Sequence, residues 1–196
     1  MAVIRTFIAI HLTPALLAGL QQAQDSLRAS PGGPAGRWVP LSNIHLTLKF
    51  LGDVDSARLP EIYAATDDVA AAHPPLTLSL HGMGCFPNAR QPRIVWAGVS
   101  EAGGQLEHLA EQLDSALGRL GWPRETRPFR AHLTLARVNE HATHAQTEAL
   151  GQAAMAYRLA EHTMVAHEVA VVRSDLRPQG PLYSDLHVAR LAAPTR

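Results

Sequence analysis

The sequence predicts an α+β fold of two pseudo-symmetric lobes built on antiparallel or mixed sheets. Three observations predict it. Strand and helix patterns interleave along 196 residues. Several strands are joined by connections too short for the helical crossovers that parallel strands need. One short strand motif also stands in both halves of the chain. The length is that of one domain, so residues 1–196 are read as a single domain. A chain of this size buries about 70% of its extended surface and needs no disulfide or metal to fold.

Val3 to Leu12 reads as a first strand, because Val3, Ile4, Phe7, Ile8 and Ile10 are strand formers. Thr13-Pro14 is a helix start, with Thr as cap and Pro at the first helical position. The helix it opens carries Leu16, Leu17, Leu20, Ala23 and Leu27 on one face, and Ser30 to Pro34 breaks it. A strand from Ile44 to Leu51 ends at Gly52, and a helix follows from Asp55 to Ala72. Leu76 to Leu80 and Arg93 to Val99 are strands, separated by a turn-rich connection from Gly82 to Pro87. Gly103-Gly104 introduces the clearest amphipathic helix, striped by Leu106, Leu109, Leu113, Leu117 and Leu120. Ala131 to Val138 is a strand, Thr143 to Ala153 a short helix, His162 to Arg173 one strand, and Leu182 to Leu191 the last.

The charge balance excludes broad classes of protein. Seventeen basic residues meet 17 acidic ones, which rules out a generally basic nucleic-acid coat and an acidic disordered tail. The basic total is a single lysine, Lys49, and sixteen arginines. From the count alone, genomic composition explains that split better than phosphate binding, for which the planar guanidinium is suited. Cys85 is the one cysteine and has neither a disulfide partner nor zinc-type spacing. No apolar run reaches the roughly 18 residues of a membrane span. Arg5, His11 and Pro14 interrupt the apolar N-terminal stretch, so no signal peptide is expected there. The expectation is a soluble cytoplasmic protein.

The repeat carries the chemistry. His-Leu-Thr occurs at His11, His45 and His132, and the last two copies extend to His-Leu-Thr-Leu. Side chains alternate in a strand, so His45 and Thr47 share one face and Leu46 and Leu48 the other. His132 and Thr134 stand likewise against Leu133 and Leu135. A lone His-x-Thr is ordinarily the polar face of a half-buried sheet. His11 is assigned to that structural role, since Pro14 ends its strand. Two extended copies point further. Facing inward, they bring two imidazoles and two hydroxyls to one cleft. Histidine titrates near pH 6.5, so one ring can take a proton from water while the other gives one to a leaving oxygen. Each role is worth about 10²–10⁴-fold, which suits metal-free hydrolysis of a strained phosphodiester. Threonine hydroxyls can donate to the non-bridging oxygens, and Arg137 can add a charged contact.

At these residues the chain resembles the two-histidine (2H) phosphoesterase superfamily, and within it the bacterial and archaeal RNA 2′,3′-cyclic phosphodiesterases, also called 2′-5′ RNA ligases. The resemblance rests on the two His-x-Thr-x motifs and runs through nearly the whole chain. It includes Phe7 to Ile10, Trp38-Val39, Asn43 to Gly52, Phe86-Pro87 before Pro92 to Trp96, Arg127 to Phe129, Ser174, Leu176, Gly180 and Tyr183. It implies a bilobal α+β fold, with a helix-flanked antiparallel sheet in each lobe and a water-filled cleft between. It further implies hydrolysis of RNA 2′,3′-cyclic phosphate ends to 2′-phosphates without metal or other cofactor. By the resemblance His45 is the proton donor and His132 the acceptor; the residues themselves do not assign those roles. The superfamily commonly has Pro before the second His, where this chain has Ala131, a change that removes no chemical group.

Other residues are weaker candidates. Strand parity puts Arg130 on the His132 face and Arg137 off it, unless a bulge intervenes. Arg137 ranks higher on the family pattern, and Arg124 reads as a solvated loop residue. Among ten aromatics, Phe50, Phe129, Trp38 and Trp96 could stack a base, although core packing suits each better. His141-x-x-His144 lacks a third ligand and reads as surface. The expected partner is an RNA with a 2′,3′-cyclic phosphate end, met by a monomer. The competing readings are a 2′-5′ ligase, a phosphodiesterase of small cyclic nucleotides, and an inactive RNA-binding module, which would not need both imidazoles.

Overall fold

Among the described residues every strand pairing is antiparallel. The computed structural model describes residues 2–192. In order, the elements are β1 (Val3–Ile10), α1 (Pro14–Arg28), β2 (Gly36–Trp38), β3 (Leu46–Asp55), α2 (Leu59–Ala71), β4 (Leu76–Phe86) and β5 (Ile94–Ser100). Then come α3 (Gln105–Arg119), β6 (His132–Val138), α4 (His144–Ala156), β7 (Thr163–Ala166), β8 (Glu168–Arg177) and β9 (Gly180–Arg190). One sheet has the order β3-β1-β8-β9 and the other β2-β6-β5-β4-β7. This is the α+β class the sequence predicts.

The lobes are not consecutive halves of the chain. The first sheet takes strands from both ends, β1 and β3 with β8 and β9, and the second takes the middle. Two strand–helix–strand units, β1-α1-β3 and β5-α3-β6, are pseudo-equivalents, and each sends its helix to the other sheet. Helix α3 packs on β3 beside α2, whereas α1 packs on β7 beside α4. One apolar core therefore threads both sheets, from Ile8, Ile10 and Leu46 to Leu78, Val95 and Leu133. A smaller cluster of Phe7, Ala9, Ala170 and Val172, with Tyr183 against it, covers the opposite face of the first sheet and floors a cleft.

Local departures from the expected elements have physical causes. The turn-rich stretch after Leu80 is the continuation of β4, because Gly82 forms a bulge at φ +59° and the strand resumes at Met83. A glycine inside a strand marks a bulge or close approach as readily as a turn. Gly84 shows the second use: a Cβ there would lie 2.2 Å from the Trp96 ring. The single strand expected over His162 to Arg173 is two, since β7 pairs with β4 and β8 with β1 and β9. The chain changes sheets at His167, and only His167 and Glu168 separate the apolar residues of β7 from those of β8. Strand β3 continues past Gly52 to Asp55, which delays α2 to Leu59. The short β2 was not anticipated. Thr13 occupies the cap position of α1, but its hydroxyl caps nothing, whereas Thr143 and Gln146 form a full capping box on α4. Cys85 is a buried free thiol, and burial pushes its pKa up to about 11.

Candidate active site

The two repeats open onto one cavity of about 610 Å³ between the sheets. His45 immediately precedes β3, and His132 is the first residue of β6. His45, Thr47, His132, Thr134, Arg137 and Phe50 all line this cavity. Leu46 and Leu133 point the other way and are fully buried, anchoring each strand on the core.

A shared irregularity explains how Arg137 reaches the cavity. In the β3–β1 ladder Thr47 faces Ala9 and Lys49 faces Ile8, so Leu48 is an extra, bulged residue. In the β6–β5 ladder Thr134 faces Trp96 and Ala136 faces Val95, so Leu135 is bulged at the same place. Each bulge buries two successive residues, Leu48-Lys49 and Leu135-Ala136. Side-chain parity reverses beyond it, which turns Phe50 and Arg137 back onto the histidine face. Arg130 does not join them. It lies ahead of β6, its side chain is exposed and absent from the cavity lining, and only its carbonyl participates.

Both imidazoles are held the same way. His45 Nδ1–H donates to the Asn43 carbonyl at 3.0 Å, and His132 Nδ1–H donates to the Arg130 carbonyl at 2.7 Å. A carbonyl can only accept, so Nδ1 carries the proton in both rings. When neutral, each ring therefore keeps its Nε2 lone pair free for proton exchange. The surroundings differ. His45 stacks on Phe7 at 4.6 Å and meets Tyr183 edge-on at 5.1 Å. Burial among these rings lowers its pKa to about 4, against the raising effect of the Asn43 carbonyl; His11 adds to the lowering. His132 meets Phe86 edge-on at 5.2 Å and Trp96 at 6.5 Å. Neither Thr47 nor Thr134 spends its hydroxyl on a partner among the described residues, so both can donate to a ligand in the cavity.

Several cavity residues were not picked out from the sequence. Arg5, Arg37, Arg177 and Tyr183 line it as well, and no Asp or Glu does. Burial raises the Tyr183 phenol above its ordinary pKa despite Arg137 and Arg5 nearby, so it remains a hydrogen-bond donor. Arg5 lies over the Phe50 ring at 4.7 Å. Phe50 is 45% exposed, so core packing is not its role, whereas Trp38 lines the wall and also packs against the core. Phe129 packs against the core and Trp96 backs His132. Only the cross-strand register brings Arg37 beside Arg137, and no sequence signal points to the hairpin residue Arg177.

Two further charged residues meet at Asp114. Arg124 is exposed in the loop after α3, as expected, and its Nε donates to Asp114 Oδ2 at 3.0 Å. Lys49, buried on the far face of β3, donates to Asp114 Oδ1 and to the Pro123 carbonyl, both at 2.6 Å. Burial alone would raise the Asp114 carboxyl, but hydrogen bonds from Lys49, the Glu125 backbone and Arg124 hold it below its ordinary pKa. His141 and His144 are exposed, and among the described residues no group of three or more His, Cys, Asp or Glu could hold a metal.

Paired strands that present imidazole and hydroxyl to one cleft define a phosphoesterase of the 2H kind. The family described as LigT like Phosphoesterase matches residues 10–96 and 98–183, and the chain belongs to it. It is 33% identical over 189 residues to a protein of Methanothermobacter thermautotrophicus named RNA 2′,3′-cyclic phosphodiesterase, with 96% of this chain and 99% of that one covered. A crystal structure from Thermus thermophilus superposes with a TM-score of 0.80 at 30% identity, covering 98% of this chain and all of the other. The crystal structure of E. coli LigT complexed with 3′-AMP superposes at 0.71 with 27% identity, over 97% and 99% of the two chains.

Proposed function

We propose that this protein hydrolyses RNA 2′,3′-cyclic phosphate ends to 2′-phosphates. The observation that carries this reading is the convergence of two Nε2-presenting imidazoles, two free threonine hydroxyls and Arg137 on one cavity. The names of the curated relatives agree with it. In the proposed step His132 Nε2 takes a proton from water and the water oxygen bonds to phosphorus. The P–O3′ bond breaks, and His45 Nε2–H gives its proton to the departing 3′ oxygen. Thr47, Thr134 and Arg137 donate to the non-bridging oxygens as charge develops there. Phe50 offers an exposed ring for the terminal base. We read residues 1–196 as one domain of two lobes, which the shared core supports. We place the enzyme in the cytoplasm as a monomer; a buried unpaired thiol fits a reducing compartment. No helix among the described residues is long and apolar enough to cross a membrane.

The test is His45→Ala and His132→Ala, assayed on an oligonucleotide with a 2′,3′-cyclic phosphate in EDTA. Each variant should lose at least about 10²-fold in turnover while still binding RNA. Near-normal activity of either variant would sink the two-imidazole mechanism. One observation favours exchanged roles. With its pKa near 4, His45 is neutral at pH 7 in the empty cleft and suited to accept a proton. A phosphate anion at Nε2 reverses that preference, since it stabilises imidazolium. The pH dependence of kcat/KM separates the two. As acceptor, His45 leaves an acid limb with a midpoint near pH 4; as donor, it makes kcat/KM fall as pH rises above that point.

A further inference from the structure

The cavity gathers arginines and no acid. Outside it four of the eleven described arginines, Arg28, Arg58, Arg124 and Arg173, pair with a nearby acid. Within it Arg5, Arg37, Arg137 and Arg177 have no ion-pair partner among the described residues, and no acid lines the wall. A chain of zero net charge thus gathers four uncompensated guanidiniums around one cleft. Arg37 and Arg137 are the most telling pair. They are direct Cα partners across the β2–β6 ladder and share the cavity face. Like charges directly opposite in a sheet destabilise it. An anion bound between the two side chains relieves that repulsion.

One reacting phosphate engages Arg137 and leaves Arg37 unanswered. The strip from Arg37 to Asn43 continues along the cavity wall, and Asn43 Nδ2 donates to the Pro181 carbonyl at 2.8 Å. This bond ties the wall to the β8–β9 hairpin, whose tip carries Arg177 and Gln179 into the same cavity. Arg37 and Arg177 thus belong to the two surfaces that meet across this hydrogen bond. An RNA 3′ end offers one neighbouring anion, the phosphodiester on the 5′ side of its terminal nucleotide.

We propose that Arg37 and Arg177 form a second phosphate subsite that grips this neighbouring phosphodiester and makes the enzyme prefer an RNA end over a lone cyclic nucleotide. The inference rests on the cyclic phosphodiesterase reading. Arg37→Gln and Arg177→Gln are compared with the parent protein on a nucleoside 2′,3′-cyclic phosphate and on a trinucleotide with the same terminus. The parent protein should favour the trinucleotide in kcat/KM. Each variant should lose about tenfold on the trinucleotide, through KM, and stay within about twofold on the nucleoside. Its salt dependence on the trinucleotide should flatten by about 0.7 per lost contact in the log–log slope. Arg37→Lys should recover part of the loss.

Equal losses on both substrates, or a parent protein indifferent to length, would overturn the subsite and leave the phosphodiesterase reading standing. A parent protein that turns over neither substrate would overturn that reading instead. In that event binding of the 2′-phosphorylated trinucleotide and nucleoside to the same variants decides the subsite by the same ratio.

Discussion

The strand behind His45 and the strand behind His132 are the same device in two settings. Each starts from an imidazole held at Nδ1 by a carbonyl two residues back, passes a threonine, and bulges at a leucine. Each then returns one side chain to the cleft, Phe50 in β3 and Arg137 in β6. What differs is everything around the device. His45 sits between Phe7 and Tyr183, while His132 is met only by the edges of Phe86 and Trp96. The first buried residue after the bulge is Lys49, tied to Asp114, in one strand and Ala136 in the other. The repeat determines where groups point; the unshared residues determine what each group can do.

The largest expected effect tests whether the two strands form one machine. The double variant His45→Ala/His132→Ala should lose about as much turnover as the worse single variant, because groups acting in one step are not additive. Additive losses in single-turnover assays would show two independent contributions.

Next is the asymmetry of Lys49. Asp114→Asn leaves a nearly fully buried ammonium with only the exposed Glu125 carboxylate, at 3.8 Å, as counterion and should cost up to about 3–5 kcal/mol in urea unfolding. The joint change Lys49→Met/Asp114→Leu should recover most of that. The Asp114 carboxyl is held low in the folded protein, so its contribution is complete above about pH 4, the unfolded value, and is lost as pH falls through the folded one. Asp114→Asn should remove that part of the acid sensitivity; an unchanged stability profile would dismiss the pairing.

The residues returned by the two bulges should separate by substrate. Phe50→Ala should cost about 1–3 kcal/mol of RNA affinity and depend on the terminal base. Arg137→Gln should instead weaken binding of inorganic phosphate and nucleotides alike, measured by calorimetric titration.

The smallest effect concerns the ring packing of His45. Phe7→Leu removes part of its shielding and should raise the pKa from about 4 toward 6.5, followed by NMR titration. The same burial makes His45 a source of stability that is full above about pH 6.5 and lost on acidification toward pH 4.

Much of the site was legible because its information is local. The leucines of α3, the strand formers of β1 and the two His-x-Thr-x motifs each lie within one element, where residue type and periodicity are read directly. His45, Thr47, His132 and Thr134 accordingly reach the cavity as strand geometry requires. Arg130 and Arg137 show where such reading stops. An ideal strand prefers Arg130, but β6 begins after it, and the Leu135 bulge moves Arg137 across. That bulge is a property of a pair of strands and, with no glycine at it to signal one, leaves no mark in either strand alone. The sheet switch at His167 was hidden for the same reason, since strand-forming residues on both sides read as one strand.

The sequence by itself determined the class of fold, the two motifs and the identity of the reacting groups, because these follow from residue type and short-range spacing. Tertiary structure alone decided which charges meet. It buried Lys49 against Asp114, set Arg37 opposite Arg137, and surrounded His45 with rings drawn from β1 and β9. Electrostatic energy and desolvation depend on distance and burial between residues far apart in the chain, and only the packed sheets establish either.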